Sequence, residues 1–203
     1  TLRTEVNVPK GSTIKLVSIF GGAYGTQILP PCDVYDSHVN YHSANATLIY
    51  DPGNIIYAKD PDDPEGTSKY LGAVYGGNNN ERRALYTQVN IDAPVVQEKI
   101  IQYNDEITGM AKGDKLTTNG NAYGAGFGVD TWSEYTEVNL FGPEVKSVDN
   151  PNPNPGAKVY EVYGGGQMGH VLNSESVQQY MYLYKDGPSP QIARDDPDWE
   201  QRY

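Results

Sequence analysis

Along the chain, short apolar runs give way to glycine clusters and then to long polar stretches, and this order recurs. Ile19-Phe20-Gly21-Gly22, Val74-Tyr75-Gly76-Gly77, Ala122-Tyr123-Gly124-Ala125-Gly126 and Val162-Tyr163-Gly164-Gly165-Gly166 each set an aromatic residue directly before glycine. A second pattern has period two: Thr87-Gln88-Val89-Asn90-Ile91-Asp92 and Thr136-Glu137-Val138-Asn139-Leu140-Phe141 are nearly superimposable. Asn45-Ala46-Thr47-Leu48-Ile49-Tyr50 and Gln179-Tyr180-Met181-Tyr182-Leu183-Tyr184 stand as their counterparts in the first and last units, at larger offsets from their glycines. Alternating apolar and polar side chains, rich in β-branched and aromatic types, are what a strand with one buried face requires. Each unit therefore reads as strand, glycine turn, polar loop, strand.

Self-similarity of this kind predicts a stacked array, in which each unit buries its apolar face mainly against its neighbours. The aromatic positions Phe20, Tyr75, Tyr123 and Tyr163 lie 55, 48 and 40 residues apart. Such unequal spacing points to a common unit with insertions of different length. Candidate insertions are 27–43, 59–68, 98–120 and 149–156, the last reading Asp-Asn-Pro-Asn-Pro-Asn-Pro-Gly. Proline fixes its own φ and denies the ladder a donor, so the Pro-rich stretches are not central strands. The expected fold class is all-β, a β-solenoid with long loop insertions. Residues 1–190 form a single array of about four irregular repeats, and 191–203 a tail or linker. The expected structural repeat positions are Phe20, Gly21, Gly22, Tyr75, Gly76, Gly77, Tyr123, Gly124, Gly126, Tyr163, Gly164 and Gly165.

Composition fits a turn-rich β chain: 22 Gly, 14 Pro and 17 Tyr among 203 residues, with 37% hydrophobic. Tyr supplies the missing bulk, presenting a flat apolar face to the layer above or below while its hydroxyl reaches a polar partner; ladders of Tyr are expected. A net charge of −11 repels polyanions, which argues against nucleic acid and anionic membrane surfaces as partners. No apolar run is long enough to cross a bilayer as a helix, and the opening at Thr1 suggests a portion of something longer. Cys32 is the single cysteine, so no internal disulfide forms. The sequon Asn45-Ala46-Thr47 falls in an expected strand.

Candidate chemistry is sparse. Gly164-Gly165-Gly166-Gln167-Met168-Gly169 satisfies G-x-G-x-x-G after a strand, with Asp186 beyond it. The segment that follows is poor in helix formers, and the same aromatic-glycine motif occurs elsewhere where no nucleotide reading is open. Cys32, His38 and His42 make half of a zinc site without a further cysteine. Asp60, Asp62 and Asp63 are weak calcium candidates, since prolines interrupt them and no Asp-x-Asp-x-Asp-Gly order exists; no other cofactor is expected. Glu134 and Glu137 near Trp132, and Glu81 with Arg82 and Arg83, are carboxylates of the type used on sugars. Glu134 and Glu137 differ by an odd number and would point to opposite faces of one strand. No catalytic residue is assigned, and the chain is expected not to be an enzyme. Trp132 and Tyr135 are the rings on which a glycan could stack, with core packing as their alternative.

The aromatic-Gly-Gly-Gly clusters, followed by polar loops and Thr-x-Val-x-Ile strands, resemble the repeats of large β-helical surface or secreted proteins of gut-type anaerobic bacteria. That resemblance covers about Thr13 to Tyr184 and departs from the family in its Pro-rich insertions and scarce Thr. It implies a right-handed parallel β-helix in an extracellular or cell-surface protein with a structural, adhesin-like role. The expected function is a non-enzymatic module that displays or spaces a binding surface and contacts carbohydrate, with self-association or neighbouring repeats at its ends. The alternatives are a polysaccharide-active lyase or hydrolase, and a subunit of an extracellular fibre or phage tail spike.

Overall fold

The computed structural model describes residues 3–24, 33–50, 72–101, 104, 109–167 and 169–171. Among these the chain is all-β, with fourteen strands and no helix. Three sheets form. The first holds β1 (Arg3–Val8), β4 (Val34–Tyr41), β7 (Asn79–Ile91), β11 (Phe127–Ser133), β12 (Tyr135–Leu140) and β14 (His170–Val171), all parallel. The second holds β2 (Lys15–Leu16), β5 (Thr47–Tyr50) and β8 (Val96–Ile100) in parallel, with β9 (Lys115–Asn119) antiparallel on β8. The third holds β3 (Ile19–Phe20), β6 (Ala73–Tyr75), β10 (Asn121–Tyr123) and β13 (Val162–Tyr163), again parallel. Followed in order, the chain visits first, second and third sheets and returns to the first as far as β11, and then passes from β12 directly to β13 of the third sheet.

Pairing is in register, so one residue type stacks on itself from strand to strand. Val6, Val39, Val89 and Val138 are aligned across β1, β4, β7 and β12. Inward positions two residues to either side hold Thr4, Ser37, Thr87 and Thr136, and Val8, Tyr41, Ile91 and Leu140. The main core gathers Val39, Tyr41, Val89 and Ile91 with Ile19, Leu48, Val74, Val95 and Ala122 from the other sheets. A second cluster lies on the opposite side of the third sheet. There Phe20, Tyr75, Tyr123 and Tyr163 stack face to face, with centroids 4.6, 4.9 and 5.0 Å apart and planes within 9° of parallel. Phe127 meets Tyr75 edge-on at 5.9 Å. The four aromatic-glycine segments thus occupy equivalent positions, Phe20 facing Tyr75, Tyr75 facing Tyr123 and Tyr123 facing Tyr163.

Glycine follows Phe20, Tyr75 and Tyr123 because the next strand's turn passes too close for a side chain. A Cβ on Gly76 would collide with the carbonyl oxygen of Gly124, and one on Gly124 with that of Gly164. Inward hydroxyls bind the same turns: Ser37 donates to the Gly76 carbonyl at 2.6 Å and Thr87 to the Gly124 carbonyl at 2.5 Å. A buried polar group without a partner costs about 1–3 kcal/mol, so these bonds let Ser and Thr sit inside.

Three sequence expectations are corrected here. The first unit's counterpart of β7 is not 45–50, which is β5 of the second sheet; it is Val34–Tyr41, within the stretch 27–43 read as an insertion. The insertion 98–120 likewise contains β9, which covers the outer edge of β8. Asn45 lies in the exposed turn between β4 and β5, not in a strand. The stretch 149–156 is irregular as expected, whereas 59–68, Cys32, Asp60, Asp62, Asp63, the strand expected at 179–184 and the tail 191–203 lie outside the described residues.

Gly76→Ala is expected to lower unfolding stability by about 1–3 kcal/mol through overpacking. Gly164→Ala, whose Cβ meets nothing among the described residues, should stay within about 0.5 kcal/mol of the parent; urea denaturation of both variants checks the contrast. Tyr41 is fully buried, donates its hydroxyl to the Ala46 carbonyl at 3.2 Å, and is pushed up to about 12 by burial. Its neutral form is the stabilised one, so its contribution is complete below pH 10 and fades as pH rises from 10 to about 12. Tyr41→Phe should flatten that alkaline decline in a melting-temperature series.

Candidate functional site

Strands of the first sheet turn every second residue outward, and register lines these residues into rows across β1, β4, β7 and β12. One row is Arg3, Asp36, Tyr86 and Tyr135; the next is Glu5, His38, Gln88 and Glu137; the third is Asn7, Asn40, Asn90 and Asn139. In the third row each amide donates to the one before it: Asn139 to Asn90 at 2.9 Å, Asn90 to Asn40 at 2.8 Å and Asn40 to Asn7 at 2.8 Å. Donation runs in a single direction along the whole row.

The middle row replaces self-stacking by pairing, since like charges on adjacent strands repel. His38 places Nδ1 3.0 Å from the Gln88 side-chain oxygen and Nε2 2.7 Å from Asp36 Oδ1. Gln88 donates to Glu137 at 3.2 Å, and Asn139 donates to its other oxygen at 2.9 Å. These two donors, Asn139 first, hold the Glu137 carboxyl below the usual carboxylate range. In the first row the rings of Tyr86 and Tyr135 lie 6.3 Å apart, tilted by 45°, and are 45% and 65% exposed.

Just past the strand ends the rows run into a groove of about 640 Å³ lined by Asn40, Asn90, His42, Asp92, Phe141, Gly142, Pro143 and Glu144. His42 Nδ1 is 2.9 Å from Asp92 Oδ2, which also accepts from the Asn154 side chain at 2.7 Å. With Nδ1–H given to Asp92, the neutral imidazole keeps Nε2 as a hydrogen-bond acceptor. The far side of the groove is held by Glu144, whose Oε2 accepts from the Asn154 backbone N–H at 2.6 Å, Asn150 at 3.1 Å and Lys10 at 3.3 Å. Those bonds, the Asn154 N–H above all, hold the Glu144 carboxyl below its ordinary value.

Of the two rings expected to meet a glycan, only Tyr135 is accessible; Trp132 is 4% exposed and packs inside. Trp132 faces Arg83 and His170 on neighbouring strands, and the groove ring that sequence reading missed is Phe141, at 50% exposure. Glu137 lies on the outer face, whereas Glu134 falls at the break between β11 and β12. His38 and His42 engage separate carboxylates, and among the described residues no three metal-ligating side chains converge. The glycines of Gly164–Gly169 lead into strand β14 and not into a helix. Comparison with protein-family models, with curated proteins and with solved structures finds no match to this chain.

Glu144→Ala should release the groove's outer segment, raising amide exchange at Asn154 by about tenfold while exchange in β7 is unchanged. Because the folded carboxyl titrates below 4.5, the same loosening is expected in the parent protein only as pH falls beneath that value; exchange measured by NMR across pH 3–7 checks both.

Proposed function

We propose that this chain is part of a parallel β-solenoid, an extracellular adhesin-like module without catalytic activity, whose outer row face binds neutral glycans. The solenoid reading is supported by the order in which the chain revisits its three sheets and by the in-register stacks of Val, Asn and aromatic residues. Each added layer lengthens such a rod by about 4.8 Å and leaves backbone groups paired.

The observation that carries the binding reading is the exposed Tyr86–Tyr135 step beside amide and carboxylate rows, ending at Phe141 and the groove. Sugar rings stack their C–H faces on aromatic side chains, while their hydroxyls both donate and accept. Gln88, Asn90 and Asn139 offer amides, Glu137 and His42 Nε2 offer acceptors, and the overall charge of −11 disfavours acidic polysaccharides. A polysaccharide-active enzyme is the alternative. Glycoside hydrolysis needs one carboxyl kept protonated as the acid, and Glu137 and Glu144 are both shifted the other way, towards ionisation. That direction favours binding over turnover.

Tyr135→Ala is expected to weaken binding of neutral oligosaccharides, immobilised as an array and followed by calorimetry on the best binder, by about tenfold, or 1.4 kcal/mol. Trp132→Phe should leave affinity unchanged. Equal affinity of Tyr135→Ala and parent, or release of reducing ends on incubation, would overturn the proposal.

A further inference from the structure

The outer rows fix the direction of every hydrogen bond that reaches His38. Asn90 is set first: its amide N–H donates to Asn40 at 2.8 Å and its oxygen accepts from Asn139 at 2.9 Å. The same Asn90 nitrogen donates to Gln88 Oε1 at 3.2 Å, while Gln88 Nε2 donates to Glu137 at 3.2 Å. Turning the Gln88 amide over would set donor against donor at Asn90 and oxygen against carboxylate at Glu137. Gln88 therefore offers His38 Nδ1 an acceptor at 3.0 Å, and Asp36 Oδ1 offers Nε2 a second one at 2.7 Å. A neutral imidazole has one N–H; only the imidazolium donates from both nitrogens.

We propose that His38 is a proton switch built into the outer face: doubly protonated, it ties Asp36 to the Gln88 amide, and on losing a proton it releases Gln88. The charges around it favour the protonated form. On its own strand the charged neighbour is Asp36. From β1 come Glu5, opposite His38 in register, and Arg3, 3.6 Å from Glu5 and 3.8 Å from Asp36. Beyond Gln88 stands Glu137 of β12, and the adjoining row brings Tyr86 and Tyr135. With His38 protonated, two cations meet the three carboxylates of Glu5, Asp36 and Glu137; with it neutral, Arg3 meets them alone. The His38 side chain is only 20% exposed, so water screens these charges incompletely.

Loss of the proton leaves one ring lone pair facing an acceptor. A bond to an ionised partner is the stronger kind, so the remaining N–H stays with Asp36 and the contact to Gln88 opens. Gln88 is then restrained only by Asn90 and Glu137, and the middle row is broken between β4 and β7. The tie is therefore present at low pH and lost as pH rises through the range in which histidines titrate, about 5 to 8. Glu137 imposes the opposite sign at the other end of the row. Its carboxyl, held below 4.5 by Asn139 and Gln88 and further by the charge of His38, gives up its bonds as pH falls beneath that value. The row is fully bonded only between the two transitions. This switch rests on the row geometry and is independent of the glycan reading.

The test follows the His38 ring nitrogens of the full chain by NMR as pH is raised. Gln88→Met removes the acceptor at Nδ1 without changing any charge, and should lower the midpoint of His38 protonation by about one pH unit, a tenfold loss of proton affinity. Gln88→Glu, which adds a charge to the acceptor, should raise it. In the parent, with no substitution, the Gln88 side-chain amide signals should shift at the same midpoint as the His38 ring. Urea denaturation gives a second reading: between about pH 5.5 and 8 the parent's unfolding constant should rise about tenfold more than that of His38→Gln, which cancels the contributions of the other histidines. A midpoint unmoved by Gln88→Met, Gln88 amide signals indifferent to the ring, or equal pH dependence of stability in parent and His38→Gln would overturn the proposal.

Discussion

Parallel pairing in exact register is the constraint on which everything else in this structure depends. It places each side chain directly over its equivalent on the next strand, at a spacing fixed by backbone hydrogen bonds, so a position tolerates only groups that can stack on themselves. Flat rings do so, as Phe20, Tyr75, Tyr123 and Tyr163 show. Valine does so in the core, and an asparagine amide, donor and acceptor at once, does so outside. Charged groups do not. Where Glu5 and Glu137 occupy the ends of a row, His38 and Gln88 stand between them.

The same constraint explains how a chain with only 37% hydrophobic residues builds two buried clusters. Strands of all three sheets turn inward residues to one shared cluster, so each strand contributes few apolar side chains and still excludes water. Inward Ser37 and Thr87 are admitted because the glycine turns bring a carbonyl within reach of each hydroxyl. Glycine, ring and hydroxyl form one device. The missing Cβ lets turns approach, the approach brings rings to stacking distance, and the hydroxyl satisfies the carbonyl left facing inward.

The device was legible in sequence because its parts are adjacent: an aromatic residue followed by glycines marks a position that no ordinary turn rule requires four times. The strand pattern was legible where both alternating sets are distinctive, as in β7 and β12. It failed at β4, where Ser37, Val39 and Tyr41 point inward and His38 and Asn40 outward; a buried serine and tyrosine beside polar neighbours give no clear period of two. Val-Asn at 6–7, 39–40, 89–90 and 138–139 was the available signal, since an inward Val and an outward Asn are both self-stacking types. Trp132, open in sequence to either a glycan contact or core packing, was undecided for another reason. It follows the irregularity between Phe127 and Asp130, where β11 shifts register on β7, and Arg82 opposite adopts a φ of 68°. A bulge of that kind re-aims side chains, and nothing in local composition announces it.

The face proposed to bind glycans carries an outward carboxylate, Glu137, that its neighbours bias towards ionisation. On a stacked sheet an outward Glu has an amide neighbour on its own strand and another on the adjacent strand, as Glu137 has Asn139 and Gln88. Both donate, and each bond stabilises the ionised form. The row thereby holds Glu137 ready as an acceptor and biased towards ionisation. Catalysis on such a surface would call for a carboxyl freed from its row and desolvated. The residues that leave the rows here are His42, Asp92 and Glu144; Glu144 is held by Asn154, Asn150 and Lys10, and Asp92 Oδ2 by Asn154 and His42, while Asp92 Oδ1 is buried with no hydrogen-bond partner among the described residues.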